Sequence, residues 1–512
     1  MPPFLKTKGE NGKCHVTQQS LNGAVKSICD IMRRSNCAGA LQYVPELTWI
    51  LFLRILDERE TREAENAEAV GADFMPSLKA PYRWQDWAAP GGIKRRKLQD
   101  GTLGDFFSFV NGELLPYLRA LKNKSSAEPR QKVISEMFSG VERTRVDTEK
   151  NFLDILDKVH EISAETVEQT HIFTLSQIYE GLLLKMGEKG NDGGQFFTPR
   201  EIIRAMVRVI NPKIGESVYD PGCGTGGFLA QAFEHMAGAD NAKIKTPEQL
   251  ETIKRRTFYG REKDNTIYPI ALANLVLHGI DEPHIWHGNT LTGAETYGGL
   301  FTDTPALYDV LLMNPPFGGK EGKEAQTRFA YKTGSTQVLF LQHVLNSLKS
   351  DGRCGIVLDE GLLFRNNETA FVQTKRKLLD ECDLWCIVSL PGGVFTSAGA
   401  GVKTNLLFFT KGQPTEKIWY YDLSDIKVGK KKPFMLDKFE EFFKLLPKRA
   451  DSDHSWTVTR KEIEAKNFDL KAVNPNTKNT EDTRTPEQLL EVIETKAKEA
   501  AEAFKELRRL PK

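Results

Sequence analysis

The sequence predicts an α/β protein: a doubly wound, mostly parallel seven-stranded sheet, preceded by an all-helical N-terminal domain and followed by a C-terminal helix. Three observations carry this. Apolar residues recur at helical spacing through the first 165 residues, short apolar runs alternate with helical stretches between 217 and 410, and a Pro/Asn/Thr-rich stretch at 474–486 sets off a last charged segment. The implied division is a helical domain over 1–165, a sheet domain over 166–470, and a linker with a C-terminal helix over 471–512.

Within 16–60, Leu21, Val25, Ile28 and Met32 recur every three or four residues, and Trp49, Leu53 and Leu56 continue one face of a second helix. The charged run 57–68 carries that helix into solvent. Residues 71–101, rich in Gly, Pro and Trp, predict an irregular crossing. Helical periodicity returns from 103 to about 167, with Phe106, Val110, Leu114 and Leu118 in one segment and Phe152, Ile155, Leu156 and Val159 in another. A helix over 173–187 and a glycine-rich break at 190–194 then lead to strands at 217–219, 257–259, 285–287, 310–313, 353–358, 385–390 and 405–410, the last two forming a hairpin. A hinge-like polar strand and a helix at 436–446 are expected within 411–470. Pro486 opens a helix to about residue 509 whose apolar edge is Leu489, Leu490, Ile493, Ala500 and Phe504, suited to packing on its own domain or on a partner subunit.

A chain of 512 residues is expected to hold two or three domains with one large core. Its 40 % hydrophobic and 27 % charged residues, with 41 Gly and 24 Pro, exclude collagen-like, mucin-like and wholly disordered classes. Lys plus Arg number 70 against 69 for Asp plus Glu, a net charge of +1 that neither requires nor excludes nucleic acid. If such a balanced chain meets DNA, help from a partner is expected. Cysteines at 14, 29, 37, 223, 354, 382 and 386 form no CxxC pair, which predicts buried thiols in a reducing compartment, no disulfide framework and no metal site. The first residues lack the apolar run of a secretory signal, and the stretch 47–56 is broken by Arg54 and too short to cross a bilayer, so no membrane association and a cytoplasmic location are expected.

Three motifs carry chemistry. Asp220-Pro-Gly-Cys-Gly-Thr-Gly-Gly-Phe-Leu229 follows a strand, and Gly222, Gly224 and Gly227 satisfy GxGxxG, a tight turn that lets backbone approach a ligand at a helix start. A dinucleotide would place pyrophosphate there, and Asp220 would crowd it. The same carboxylate suits the sulfonium and amino group of S-adenosylmethionine, and a purely structural turn is the third reading. In Tyr259-Gly-Arg-Glu262, the acidic residue at the second strand's end can take both ribose hydroxyls. It lies 36 residues beyond Gly226, against about 20 in the usual fingerprint, which the polar stretch 237–256 explains as an insertion. The alternative is a surface glutamate.

The sharpest motif is Asn314-Pro-Pro-Phe317-Gly after the apolar run 308–313. A strand ending in Asn and two prolines sets the Asn side chain at the carboxyl edge of the sheet, where ligands bind in such folds. An exocyclic aromatic amine is a poor nucleophile because its lone pair is spread into the ring. The Asn314 oxygen and the Pro315 carbonyl can each accept one N–H and localise that pair toward an incoming methyl group, while Phe317 stacks on an extruded base. The alternative is a rigid turn ending a core strand.

Together, Gln195-Phe-Phe-Thr-Pro199-Arg, the glycine loop and Asn314-Pro-Pro-Phe317 resemble the modification (M) subunits of type I restriction-modification systems, which are N6-adenine DNA methyltransferases. The resemblance is close over 171 to about 412 and extends to the helical N-terminal domain and the C-terminal helix. It implies a Rossmann-like methyltransferase sheet, S-adenosylmethionine as cofactor, and catalytic residues Asn314, Pro315, Pro316 and Phe317. It implies cofactor contacts from Gln195, Phe197, Thr198 and Pro199, which close over the methionine end, and from Asp220, Gly222, Gly224, Thr225, Gly226 and Glu262. Asn289, after Gly288, stands where the family more often has an Asp contacting the cofactor's adenine; an amide can replace that acceptor. Cys223 replaces the usual Ala and is read as packing. The segments 335–337, 352–358 and 390–395 match family patterns for the sheet edge and base pocket.

The resemblance also implies partners: double-stranded DNA, a specificity (S) subunit that reads the sequence, two M subunits per S, and a restriction (R) subunit. The N-terminal domain would help clamp DNA and the C-terminal helix would dock on the specificity subunit. The basic run Lys94-Arg-Arg-Lys97 is either a phosphate contact or a solvated loop. Protein glutamine methylation poses the same chemical problem, but those enzymes lack the helical front domain. Cytosine C5 methylation needs a Pro-Cys nucleophile where Pro316-Phe317 stands, cytosine N4 enzymes more often begin the motif with Ser or Thr, and a non-catalytic cofactor-binding subunit or a dinucleotide oxidoreductase is a further alternative.

Overall fold

The computed structural model describes residues 18–35, 37, 40–161, 198–293, 300–301, 304–395, 403–429, 432–471, 473–476 and 485–507. All seven expected strands form: β1 Val218–Asp220, β2 Phe258–Glu262, β3 His284–His287, β4 Tyr308–Met313, β5 Leu348–Asp359, β6 Cys382–Ser389 and β7 Thr404–Lys411. Two more, β8 Lys417–Asp422 and β9 Ser455–Thr459, extend the sheet to nine strands in the order β3-β2-β1-β4-β5-β7-β6-β8-β9. The seven-strand expectation is corrected by that pair. β8 is not a polar hinge: polar residues flank it, but Ile418, Trp419, Tyr420 and Tyr421 are buried, as expected of an interior strand.

The strands β3, β2, β1, β4 and β5 run parallel. β7 lies antiparallel between β5 and β6, which realises the expected hairpin. β8 continues parallel to β6, and β9 closes the edge antiparallel. From β1 the chain steps outward to β2 and β3, then returns to β4 on the other side of β1. This reversal opens a crevice at the carboxyl ends of β1 and β4.

The principal helices are α1 Gln18–Arg34, α2 Ala40–Ala69, α3 Pro129–Met137, α4 Glu149–His160, α5 Arg200–Ile210, α6 Gly227–Ala237, α7 Ile267–His278, α8 Thr336–Ser347, α9 Thr369–Glu381 and α10 Pro486–Leu507. The predicted apolar faces are buried: Ile28 and Met32 on α1, Trp49, Leu53 and Leu56 on α2, Phe152, Ile155, Leu156 and Val159 on α4. The expected crossing at 71–101 contains two short helices, Trp84–Trp87 and Ile93–Gln99. The basic run lies on the second and is no loop. Arg95 is buried, donating to the Ala88 carbonyl at 2.6 Å and pairing with Asp157 at 2.7 Å, while Arg96 and Lys97 are exposed. The expected helix over 173–187 and the break at 190–194 lie outside the described residues.

One apolar core runs from the N-terminal helices through α5, α6 and α7 to one sheet face, and a second, with α8, covers the other face. Residues 1–472 form one compact unit and 473–512, with α10, another. Among the described residues no helix is long and apolar enough to cross a membrane.

A polar network fastens the N-terminal helices to α7. Arg130 of α3 pairs with Glu63 at 2.8 Å, with Glu60 at 3.2 Å and with Asp281, just beyond α7, at 2.9 Å. Arg59 donates to the Val276 carbonyl. Burial alone would raise the Asp281 carboxyl, but Arg130, Lys254 and Arg59 more than reverse this and hold it below the usual range. Arg130→Met leaves three carboxylates facing one another without their shared guanidinium, and is expected to lower unfolding stability by roughly 2–3 kcal/mol. Urea unfolding at pH 7 checks this, and a midpoint equal to wild type would show that the network contributes nothing.

Candidate active site

β1 ends at Asp220, and the chain turns through 221–226 into α6. The turn is tight enough that Gly224 and Gly226 adopt φ of +54° and +78°, and a Cβ on Gly226 would press against Leu275 of α7. Asp220 Oδ1 accepts the Gly222 N–H at 3.1 Å. Glu262, at the end of β2, accepts the Gly224 N–H at 2.9 Å with one oxygen and the Asp264 N–H at 2.8 Å with the other. The second strand's acidic residue therefore fixes the glycine loop. The long spacing between them holds the short turn Ala239–Asn241 and a helix over Pro247–Arg255, as the insertion reading expects.

Both carboxyl groups are almost wholly buried. Burial, reinforced by the charge of Glu262, pushes Asp220 up to about 8 against the pull of the Gly222 N–H. Burial likewise pushes Glu262 to about 7, opposed by the N–H groups of Asp264, Gly224 and Lys263. Two desolvated acids on one cavity wall make a site that gains from a cation or from hydroxyl donors.

Asn314 follows β4, whose last residue Met313 is in register with Ile356 of β5. Its Nδ2 donates to Thr198 Oγ1 at 3.0 Å, and its Oδ1 is buried with no hydrogen-bond partner among the described residues. Pro315 is buried, and Phe317 stands edge-on to Phe395 with ring centroids 5.5 Å apart. The turn after Phe317 docks on the start of α8: the Thr336 N–H reaches the Gly319 carbonyl at 3.2 Å and the Thr336 hydroxyl reaches Glu321 at 2.9 Å.

A cavity of about 260 Å³ joins these groups. Thr198, Asp220, Gly222, Gly224, Thr225, Glu262, Asn289, Asn314 and Pro316 line it. Pro199, Gly226, Pro315 and Phe317 are not among the residues that line it, and Gln195 and Phe197 lie outside the described residues. Asn289 Oδ1 accepts the Leu291 N–H at 2.9 Å, so its amide is held at the end of β3. Cys223 is buried against the β2 end, its thiol pushed far up by burial and by Asp220 and Glu262, which suits packing and not nucleophilic attack.

Sequence reasoning missed several wall residues: Arg261, Lys263, Asp264, Thr290, Lys320 and Glu321. Asp264 had a local signal. It precedes α7 and accepts the N–H groups of Thr266 at 2.7 Å and Ile267 at 3.0 Å, the usual business of a helix-opening Asp.

A sheet with this switch point, a glycine loop fixed by a strand-end acid, and an Asn-Pro-Pro-Phe turn at the neighbouring strand define a methyltransferase of the amine-methylating kind. The profile of the N-6 DNA Methylase family matches residues 170–484, and that of the HsdM N-terminal domain matches 21–159. The chain is 35 % identical to the Escherichia coli type I restriction enzyme EcoEI methylase subunit, over 96 % of its own length and 97 % of that protein. Among solved structures, a modification subunit assigned to a type I restriction enzyme of Vibrio vulnificus YJ016 superposes with a TM-score of 0.78 at 33 % identity, covering 91 % of this chain and 98 % of that one. A chain from a study of complex assembly and conformational transition in a type I restriction-modification system gives 0.70 at 35 % identity, covering 96 % and 98 %. The chain belongs to the N-6 DNA methylase family, as a modification subunit of the type I restriction-modification kind, and is an adenine-specific DNA methyltransferase.

Proposed function

We propose that the cleft at the ends of β1, β2 and β4 holds S-adenosylmethionine beside an adenine extruded from double-stranded DNA, and that Asn314 and the Pro315 carbonyl accept the two N6 hydrogens. One observation carries this reading: the Asn314 oxygen is a buried acceptor with no partner among the described residues, on a residue lining the same cavity as the buried acids Asp220 and Glu262. An unpaired buried acceptor costs about 1–3 kcal/mol, and an amine N–H at that point recovers it.

The residues present fit the cofactor. Asp220 would meet its positive end, Glu262 would take the ribose hydroxyls, the backbone of Gly222, Gly224, Thr225 and Gly226 would lie along it, and Asn289 would meet its adenine. Gln195, Phe197, Thr198 and Pro199 would serve its methionine end. S-adenosylmethionine supplies a methyl group on a sulfonium that departs as a neutral thioether without acid assistance. With it bound, Asn314 and the Pro315 carbonyl would accept the two N6 hydrogens and so localise the amine lone pair on nitrogen, and the proton lost on methylation would pass to solvent. Pro316 keeps the turn rigid, and Phe317, with Phe395 edge-on beside it, walls the base.

Residues 1–165 serve as a DNA-clamping helical domain, 166–470 as the methyltransferase domain, and 471–512 as the segment that docks on a specificity subunit. The net charge of +1 supports this division, since base reading by another chain relieves this one of carrying a basic face. The working complex has two such subunits on one specificity subunit, joined by a restriction subunit for cleavage. The test is methyl transfer from labelled S-adenosylmethionine to target DNA with and without the specificity subunit, followed by nucleoside analysis. Label in N6-methyladenine only with the partner present is expected. Label in protein would favour glutamine methylation, and tight cofactor binding without any transfer would leave a structural subunit.

A further inference from the structure

To hold an amine hydrogen, Asn314 must turn its oxygen and not its NH2 toward the base. The two ends of a carboxamide are nearly the same size, so shape does not choose between them; hydrogen-bond partners do. Among the described residues the amide has one partner, Thr198 Oγ1, 3.0 Å from Nδ2, which leaves the buried Oδ1 unpaired on a residue that lines the cavity. Thr198 and Asn314 lie 116 residues apart, on the segment leading into α5 and on the turn after β4, yet both line the same cavity. Pro199 follows Thr198 and restricts it to extended backbone, so the hydroxyl is delivered from a stiff support.

We infer that Thr198 is the positioning residue for Asn314: its oxygen holds the amide NH2 and thereby aims Oδ1 at the reacting amine. The inference rests on the function proposed above and adds a coupling to it. A hydroxyl both accepts and donates, so by itself it serves either amide orientation. Once its proton is taken by an acceptor, only its lone pairs face Asn314, and the amide then settles with NH2 toward Thr198. With the cofactor in the cleft as proposed above, its methionine carboxylate would be such an acceptor. Loading the cofactor would thus set the orientation of the amide that receives the base.

The experiment compares Thr198→Val, Thr198→Ser and Asn314→Ala in the complex with the specificity subunit. It measures kcat at saturating cofactor, KM for target DNA, and the S-adenosylmethionine Kd by calorimetry. Thr198→Val, which keeps the shape and loses the hydroxyl, is expected to lower kcat at least tenfold even at saturating cofactor, with KM for DNA within about threefold. A tenfold loss corresponds to about 1.4 kcal/mol, the scale of one hydrogen bond. Thr198→Ser restores kcat to within about threefold of wild type. Unchanged kcat in Thr198→Val with a raised cofactor Kd would make Thr198 a cofactor ligand only, and unchanged kcat and Kd together would make the contact idle; either overturns the inference. Sustained turnover in Asn314→Ala would instead overturn the reading of the site beneath it.

Discussion

Asn314→Ala is expected to lower kcat for methyl transfer by about 10³-fold or more while the S-adenosylmethionine Kd stays within about threefold of wild type. The magnitude follows from the kind of group removed. A preorganised partner aimed at charge that develops only in the transition state contributes about 10²–10³-fold, because it stands ready in a site cleared of water. Here the same residue also orients the amine, so loss of position adds to loss of polarisation. The free oxygen explains why binding should be spared: among the described residues Oδ1 holds nothing, and the amide's bond goes to Thr198 and not to the glycine loop. Folding should be spared as well, since relief of an unpaired buried acceptor offsets the lost Thr198 bond. Single-turnover transfer with preloaded cofactor checks this directly. Turnover within tenfold of wild type would remove Asn314 from the chemistry, and lost cofactor binding in a folded variant would place it in the cofactor site instead.

Much of this site is legible in sequence because its residues break local patterns. Asp220, Glu262, Asn289 and Asn314 each stand at or just beyond the end of an apolar run, which in a parallel sheet means the ligand edge. Glycines and prolines mark the turns that follow. The first seven strands are equally legible, since a buried parallel strand reads as a short apolar run bounded by turn residues. β8 and β9 are not. The polar flanks of β8 mask four buried residues, and β9 carries one large apolar side chain, Trp456, among three hydroxyl residues, so its identity as a strand comes from pairing with β8 across more than thirty intervening residues. Lys320 and Glu321 are illegible for a similar reason. They reach the cavity because the 316–321 turn is pinned to the start of α8, and nothing near them in sequence announces that contact. Arg95 shows the opposite error: a basic run looks uniform on paper, but one of its four members is buried in an ion pair.

Asp220→Asn should raise the S-adenosylmethionine Kd about a hundredfold, because truncating one partner of a desolvated charge pair costs about 2–5 kcal/mol. The pH dependence makes the prediction more exacting. In the free protein burial holds Asp220 up to about 8 and Glu262 near 7, so at neutral pH much of the pair is protonated. A positively charged ligand prefers the ionised form and must displace a proton to obtain it. Wild-type affinity should therefore strengthen as pH rises from 6.5 to 8.5, by up to about tenfold per unit while Asp220 is still protonated. In Asp220→Asn the rise should be shallower and end near pH 7, where only Glu262 titrates. Stability of the free protein moves the other way. A carboxyl whose folded pKa lies above its unfolded value contributes stability below the unfolded value and loses it as pH climbs through the folded one. The unliganded wild type should thus lose stability between about pH 4 and 8, and Asp220→Asn should lose less over that window. Calorimetric titrations and thermal unfolding of both proteins at pH 6.5, 7.5 and 8.5 read the two trends. Parallel pH slopes in wild type and variant would mean that Asp220 stays charged in the free protein, and that its burial does not set the site's preference for a cation.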